Sequence, residues 1–475
     1  MRVTWAILRR RPDNWMRCFR ETRAQPYPTM TPDAPALTGR WTDVFRRDAA
    51  LHMAIMSSIV AGTFQGWLKD HFGGPLPYAA ADLLLMGAAI LWFGSLALRH
   101  APVRGPGNVP HIIFALIFVP MAFLLHPGTP ITIEAAGLRA WVAFPVAGLI
   151  AMTTIRGRGQ VEAYVRLILI LCFITAVYGI WQYRQGPESA LAGQLAQMRH
   201  GTTVFYNLGR PGEQEFRAFS TFTFPAPFAG MMVFGILLAA GKAMARNTSR
   251  RERWLMLLLI PLFFVGMTVS GTRAAIIILG LGLLVLAWYR GLSLGQVLLI
   301  PILLAALHIA ALVTTGSILT RLESVASEGR LWTYVLAPVT IAARSLASDP
   351  FGLGLGRSGV GVPFQIFQSM PGSFWRGSDG DLGRAAVELG VFGVALLALL
   401  VFGLLPYAAR AIRRLIGTPD EPYALGIGAL VVSTGLVLLI GSPLTSAPHG
   451  TIWWFLLGAL LQLQMQADDR EEDEA

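Results

Sequence analysis

Long apolar runs, without the alternation of a half-buried strand, recur along the chain from Leu51 almost to its C-terminus, and short polar connectors separate most of them. A helix needs about 20 largely apolar residues to cross the hydrocarbon core of a bilayer. Backbone groups there have no water to bond, so a spanning element must be a helix or part of a closed barrel. Continuous runs select helices. The pattern predicts about twelve crossings, at about 50–68, 76–98, 110–126, 131–152, 165–183, 222–241, 254–270, 273–289, 295–315, 384–406, 423–441 and 450–466. The expected fold is an all-α polytopic membrane protein, with residues 49–466 as the membrane domain.

Charge in the connectors orients these helices. Arg99 and Arg104; Arg156, Arg158 and Arg166; Lys242, Arg246, Arg250, Arg251 and Arg253; Arg290; and Arg410, Arg413 and Arg414 all fall on one expected side, whereas the short turns opposite are nearly bare of Lys and Arg. The positive-inside bias makes the basic side cytoplasmic. The arm 1–48, rich in Arg and Pro, and the acidic tail 467–475 are then cytoplasmic as well. An apolar run that begins only near Leu51 predicts a cytoplasmic arm rather than a cleaved leader. Two connectors are long, about 184–221 and about 316–383, and both fall on the outer side. Loops of that length are commonly functional or disordered. The second mixes Gly352, Gly354, Gly356, Gly359 and Gly361 with Phe364, Phe367, Phe374 and Trp375, which predicts a partly ordered cap.

Composition agrees with this picture. Of 475 residues, 54% are hydrophobic and 14% charged, and the mean hydropathy of +0.56 is too apolar for a water-soluble fold of this length. The net charge of +11 could suggest nucleic-acid binding, but the basic residues sit mostly in short connectors and no basic domain offers a groove. Cys18 and Cys172 form neither a disulfide framework nor a metal set.

Some charges stand where this topology does not call for them. Arg273 lies in the turn Ser270-Gly271-Thr272-Arg273 between two apolar runs, at the outer interface. Arg217 precedes an outward-facing helix start in RAFSTFTFPAPFAG. Guanidinium groups match phosphate oxygens bidentately, and snorkelling toward lipid headgroups is the competing explanation for each arginine. Within the expected spans lie Asp82, Glu134, Arg139, Glu388 and His308. Ionisable groups inside a membrane are costly and point to pairing or function.

Four stretches carry a family resemblance: RAFSTFTFPAPFAGMM; SGTRAAIIILGLGLLVLAW; GRLWTYVLAPVTIAARSLASDPFGLGLGRSG, with Arg330, Trp332, Pro350, Gly352, Gly354 and Gly356 in register; and Glu388-Leu389-Gly390 with Gly393. In order and topology they resemble the O-antigen ligase and polymerase superfamily of bacterial envelope glycosyltransferases. Two departures stand out. Ala226 replaces a family asparagine, and Asp379, followed by Gly380, occupies the place of a histidine usual in the ligase branch.

The resemblance implies transfer of a glycan from undecaprenyl pyrophosphate on the periplasmic side of the inner membrane. Polymerisation of surface or exported polysaccharide is favoured over ligation to a terminal acceptor, and a flippase or other transporter is the runner-up from another class. Such a reaction needs cations where pyrophosphate charge grows, for which Arg217, Arg273 and Arg330 are the candidates. It needs a base or hydrogen-bond acceptor for the attacking hydroxyl: Asp379, then Asp381, with Glu388 in an orienting role. Phe374 and Trp375 are candidates for stacking on sugars. The expected partners are the lipid-linked glycan, a glycan or lipid-linked acceptor, membrane lipids, and polysaccharide assembly and chain-length proteins. Nucleic acid is not among them, and neither a cofactor nor a metal is expected.

Overall fold

A computed structural model describes residues 48–72, 76–99, 103–124, 129–186, 216–292, 330–359, 380–439, 441, 443–444 and 447–474. In chain order the helices are α1 (Ala49–Thr63), α2 (Gln65–Phe72), α3 (Leu76–Arg99), α4 (Val109–Met121), α5 (Ile131–Thr154), α6 (Arg158–Gln185) and α7 (Pro225–Met244). They continue with α8 (Arg250–Val269), α9 (Arg273–Arg290), α10 (Arg330–Ser348), α11 (Asp381–Ala398), α12 (Leu405–Leu415), α13 (Glu421–Leu436) and α14 (His449–Glu474). Among the described residues, six helical stretches are long and apolar enough to cross a membrane: Ala79–Leu98, Ile131–Thr154, Arg158–Gln185, Pro225–Met244, Arg250–Val269 and Asp381–Leu415. Each expected span falls largely on a helix, except that at 295–315, which together with His308 lies outside the described residues.

The apolar runs sort by depth. α7 is buried along almost its whole length, and the first half of α14 is buried without interruption from His449 to Leu461. α3 lies at the periphery and leaves Ile90 and Leu98 exposed; Trp288 of α9 and Phe402 are exposed too. Large apolar side chains presented outward in this number suit a lipid surface rather than water. Helix contacts inside the bundle rely on small residues, as is usual where helices have no hydrophobic drive to associate. α7 and α13 approach at Gly241 and Gly426, where a Cβ on Gly241 would overlap the Gly426 backbone.

The bundle has two chemically different ends. α5 and α14 run parallel: Gly450 near the start of α14 lies against Phe144, Gly458 against Gly148, and Gln466 further along donates to the Ile155 carbonyl just after α5 (3.0 Å). The end where both helices finish collects the basic connectors, and several of their cations are paired. Arg414 meets Asp468 (2.7 Å) and Glu471 (2.5 Å), Arg470 meets Asp420 (3.4 Å), and Arg290 faces Glu421 (3.8 Å). Lys242 pairs with Glu252, and both Lys242 and Arg158 lie against the Tyr423 ring.

Two features differ from the sequence expectation. Within the second long connector, expected as a partly ordered cap, a helix that the sequence does not announce, α10, packs on α11, with the Ser345 hydroxyl donating to the Ala386 carbonyl (3.3 Å). Beyond α11 the helix widens into π turns over Leu399–Leu404 and runs on through α12 to Leu415, past the expected end near 406. α12 is amphipathic, burying Leu405, Ala408, Ala411, Ile412 and Leu415 while Arg410, Arg413 and Arg414 face outward, so apolarity alone does not mark its extent.

Gly241→Val should force α7 from α13 and lower the thermal midpoint of purified protein by many degrees. Gly87→Ala and Gly280→Ala, where an added Cβ meets nothing within 4 Å, should be neutral or stabilising by up to about 1 kcal/mol. Equal midpoints for all three variants would remove the close approach as a packing determinant.

Candidate functional site

Pro225 opens α7 at a position where its missing N–H costs nothing, and it holds Phe224 extended (φ −141°, ψ 158°). The residues before it are therefore non-helical, yet Phe216 and the run from Ala218 to Thr223 are buried. Their backbone groups need partners. The Gln182 side-chain oxygen on α6 accepts from the amides of Phe219 (3.0 Å) and Ser220 (2.8 Å). The Ala218 amide donates to the Val269 carbonyl (3.0 Å), and the Thr221 carbonyl accepts from Gly66 (2.9 Å) and Trp67 (3.2 Å). The hydroxyls of Ser220 and Thr221 donate to the carbonyls of Thr175 and Thr63, each at 2.7 Å. Ser220 sits at φ +53°, an uncommon conformation for a residue with a side chain.

This anchoring brings Arg217 to the corner between α8 and α9. Its Nε donates to the Ser270 carbonyl (2.9 Å) and its Nη2 to the Thr272 hydroxyl (3.2 Å). Ser270–Thr272 is the turn that leads into Arg273, the first residue of α9. Two of the three candidate arginines thus belong to one corner by backbone position. The structure describes only the backbone of Arg273 and of Arg330, which opens α10.

A second polar group is built around a broken helix. α11 is interrupted at Gly390 (φ 59°, ψ −137°), which releases carbonyls that a continuous helix would use. The glycine-rich segment 350–359 takes them. Leu353 donates to the Val387 carbonyl (2.8 Å) and Gly354 to that of Glu388 (3.2 Å), while Val391 donates to the Pro350 carbonyl (2.8 Å). Any Cβ on Gly390 would strike the Pro350 backbone.

Glu388, fully buried, locks this arrangement through its side chain. Oε2 accepts from the Trp141 indole N–H (2.7 Å) and from Arg384 Nε (3.3 Å), and Oε1 accepts from the Ser358 hydroxyl (2.5 Å). Arg384, 2% exposed, lies over the Trp141 ring (4.6 Å) and donates to the Gly137 carbonyl (3.4 Å). Nearby, Arg357 donates to the Thr129 hydroxyl (2.9 Å).

Asp381 begins α11, is buried, and donates its amide to the Gly441 carbonyl (3.2 Å). A cavity of about 40 Å³, lined among others by Trp141, Asp381, Arg384 and Trp454, adjoins it; that is room for a few water molecules. Phe222 packs against His449 at the start of α14 (6.2 Å between rings), and Gly441 lies on the way into the same helix. Both polar groups therefore sit at the end of the bundle opposite the basic connectors.

Asp379, Phe364, Phe367, Phe374 and Trp375 lie outside the described residues. Among the described residues, the other charged groups that the sequence singles out within the expected spans, Asp82, Glu134 and Arg139, are paired or buried. Arg139 bonds Asp82 across α5 and α3 (2.7 Å), and Glu134 is fully buried in the first turn of α5. Four residues of these groups escaped sequence reasoning: Gln182, Trp141, Ser358 and Arg384. Only Arg384 carries a local signal, its spacing of four from Glu388 on one helix.

No protein-family model matches the chain, and no curated protein matches it.

Glu388→Ala would leave Arg384 a buried cation without its carboxylate, at a cost of about 3–5 kcal/mol. Ser358→Ala removes one hydrogen bond and should cost about 1 kcal/mol. Thermal unfolding of the purified variants checks this order, and a Glu388→Ala protein as stable as the Ser358→Ala protein would discard the carboxylate as the lock.

Proposed function

We propose that the chain is a bacterial inner-membrane glycosyltransferase of the O-antigen ligase and polymerase kind, which polymerises lipid-linked repeats of a surface or exported polysaccharide. About twelve spans, cytoplasmic termini and a periplasmic site complete this assignment. It is supported most directly by one observation: the Arg217 guanidinium rests on the turn that leads to Arg273, at the end of the bundle away from the basic connectors.

The donor is a glycan on undecaprenyl pyrophosphate. The oxygen of an acceptor hydroxyl bonds to the anomeric carbon as the bond from that carbon to the pyrophosphate oxygen breaks, with inversion. Pyrophosphate leaves carrying negative charge and needs little protonation, so cations hold it while charge grows. Arg217 and Arg273 do so from the corner between α8 and α9, and Arg330 does so from the start of α10. Paired forks of this kind bind phosphate oxygens with directional strength that a lysine lacks. The hydroxyl proton passes to Asp379, with Asp381 as the next candidate. Glu388 orients its surroundings, and Phe374 and Trp375 stack on the glycan. No metal takes part.

Polymerisation is preferred to ligation because Asp379 stands where the resembling ligases carry histidine. Cells lacking the chain should accumulate single lipid-linked repeats; long lipid-linked chains beside uncapped acceptor would identify a ligase instead.

Arg217→Ala and Arg273→Ala should each abolish polymer while the protein is still made and inserted, as read by glycan gels and membrane fractionation. Asp379→Asn should slow transfer by about 100-fold or more with donor binding retained. Wild-type product from both arginine variants would end the pyrophosphate-clamp mechanism.

A further inference from the structure

The backbone that carries Arg217 is placed by what holds the three residues after it, and its guanidinium then reaches Ser270 and Thr272. Those residues, Ala218, Phe219 and Ser220, are fully buried and non-helical. On one side the Ala218 amide is tied to α8 through the Val269 carbonyl. On the other, two successive amides, those of Phe219 and Ser220, converge on a single oxygen of Gln182. Consecutive N–H groups that converge in this way form the kind of concavity that elsewhere captures an anion; here a side-chain amide oxygen from α6 fills it. Gln182 is itself fully buried in the last turn of α6, where no solvent is at hand to replace that oxygen. The left-handed backbone of Ser220 is the local strain that this contact offsets.

We infer that Gln182 is a positioning residue for the anion site: its oxygen, through the amides of Phe219 and Ser220, aims Arg217 at the pyrophosphate of the donor. The inference rests on the donor proposed above. Gln182 touches no substrate in this scheme and acts only through Arg217. Its loss should therefore weaken pyrophosphate binding when Arg217 is present and change nothing when Arg217 is absent.

The test uses the full chain in lipid nanodiscs, with undecaprenyl pyrophosphate as the probe and thermal midpoints as a check of folding. Gln182→Leu, which removes the acceptor, should weaken binding by about tenfold. Gln182→Glu, which keeps an acceptor oxygen at the same reach, should bind within about threefold of wild type. Gln182→Leu added to Arg217→Ala should bind no more weakly than Arg217→Ala alone. Wild-type affinity in Gln182→Leu, or an equal further loss in the Arg217→Ala background, would overturn the inference while leaving the donor assignment intact. A folded wild-type protein that binds no probe would remove the donor assignment, and the inference with it. If Gln182→Leu does not fold, Gln182→Asn, whose amide is one methylene too short to reach both donors, takes its place in the same comparison.

Discussion

Backbone amides and carbonyls that leave a helix inside a bilayer must find partners within the protein, because hydrocarbon offers none. Two non-helical stretches of this chain meet that constraint at the same end of the bundle. Around Arg217 the partners are the Gln182 side-chain oxygen, the Val269 carbonyl, and the amides of Gly66 and Trp67. Around Gly390 they are amides of the glycine-rich segment, which replace the bonds that the break in α11 gives up. In both places an irregular backbone is kept because its polar groups are satisfied, and in both it holds an arginine or a carboxylate in a fixed direction.

The charges follow the same logic in two different settings. At the end where α14 finishes, arginines are numerous beside Lys242, and several of these cations are matched by acids such as Glu252, Asp420, Glu421 and Asp468. The pairs of Arg414 with Asp468 and Glu471, exposed on both sides, contribute little individually, whereas Lys242, Asp420 and Glu421 are themselves buried. Toward the other end a pair is set deep. Arg384 and Glu388 are buried together, so neither can be removed alone without stranding the other. The Trp141 indole and the Ser358 hydroxyl complete the shell of Glu388, and a satisfied buried network of this kind fixes geometry more than it adds stability.

Much of the helical framework was legible in the sequence, because an apolar run of about 20 residues has few other uses. The turn at Ser270–Thr272 was legible for the same reason, as a short polar break between two such runs. α10 was not, since Arg330, Arg344 and Pro338 interrupt its apolar face and it lies inside a stretch otherwise rich in glycine. The extension through α12 was missed because an amphipathic helix carrying three arginines resembles a connector. Among site residues, Arg217 stood out as a charge beside a helix start. Gln182, Trp141 and Ser358 did not, because their partners are 30 or more positions away and nothing local announces them.

The shell around Glu388 also bears on how labour is divided in the proposed transfer. Both of its oxygens are already engaged, one by Ser358 and the other by Trp141 and Arg384. To take a proton from an acceptor it would have to give up one of these donors and leave Arg384 facing a neutral acid in a buried site. That is an unfavourable start for a base. A carboxylate whose oxygens also hold the glycine-rich segment in place serves better as a fixed point than as a proton carrier. The orienting role therefore falls to the carboxylate inside the broken helix, and the proton to one that precedes it in the chain, as proposed for Asp379 and Asp381.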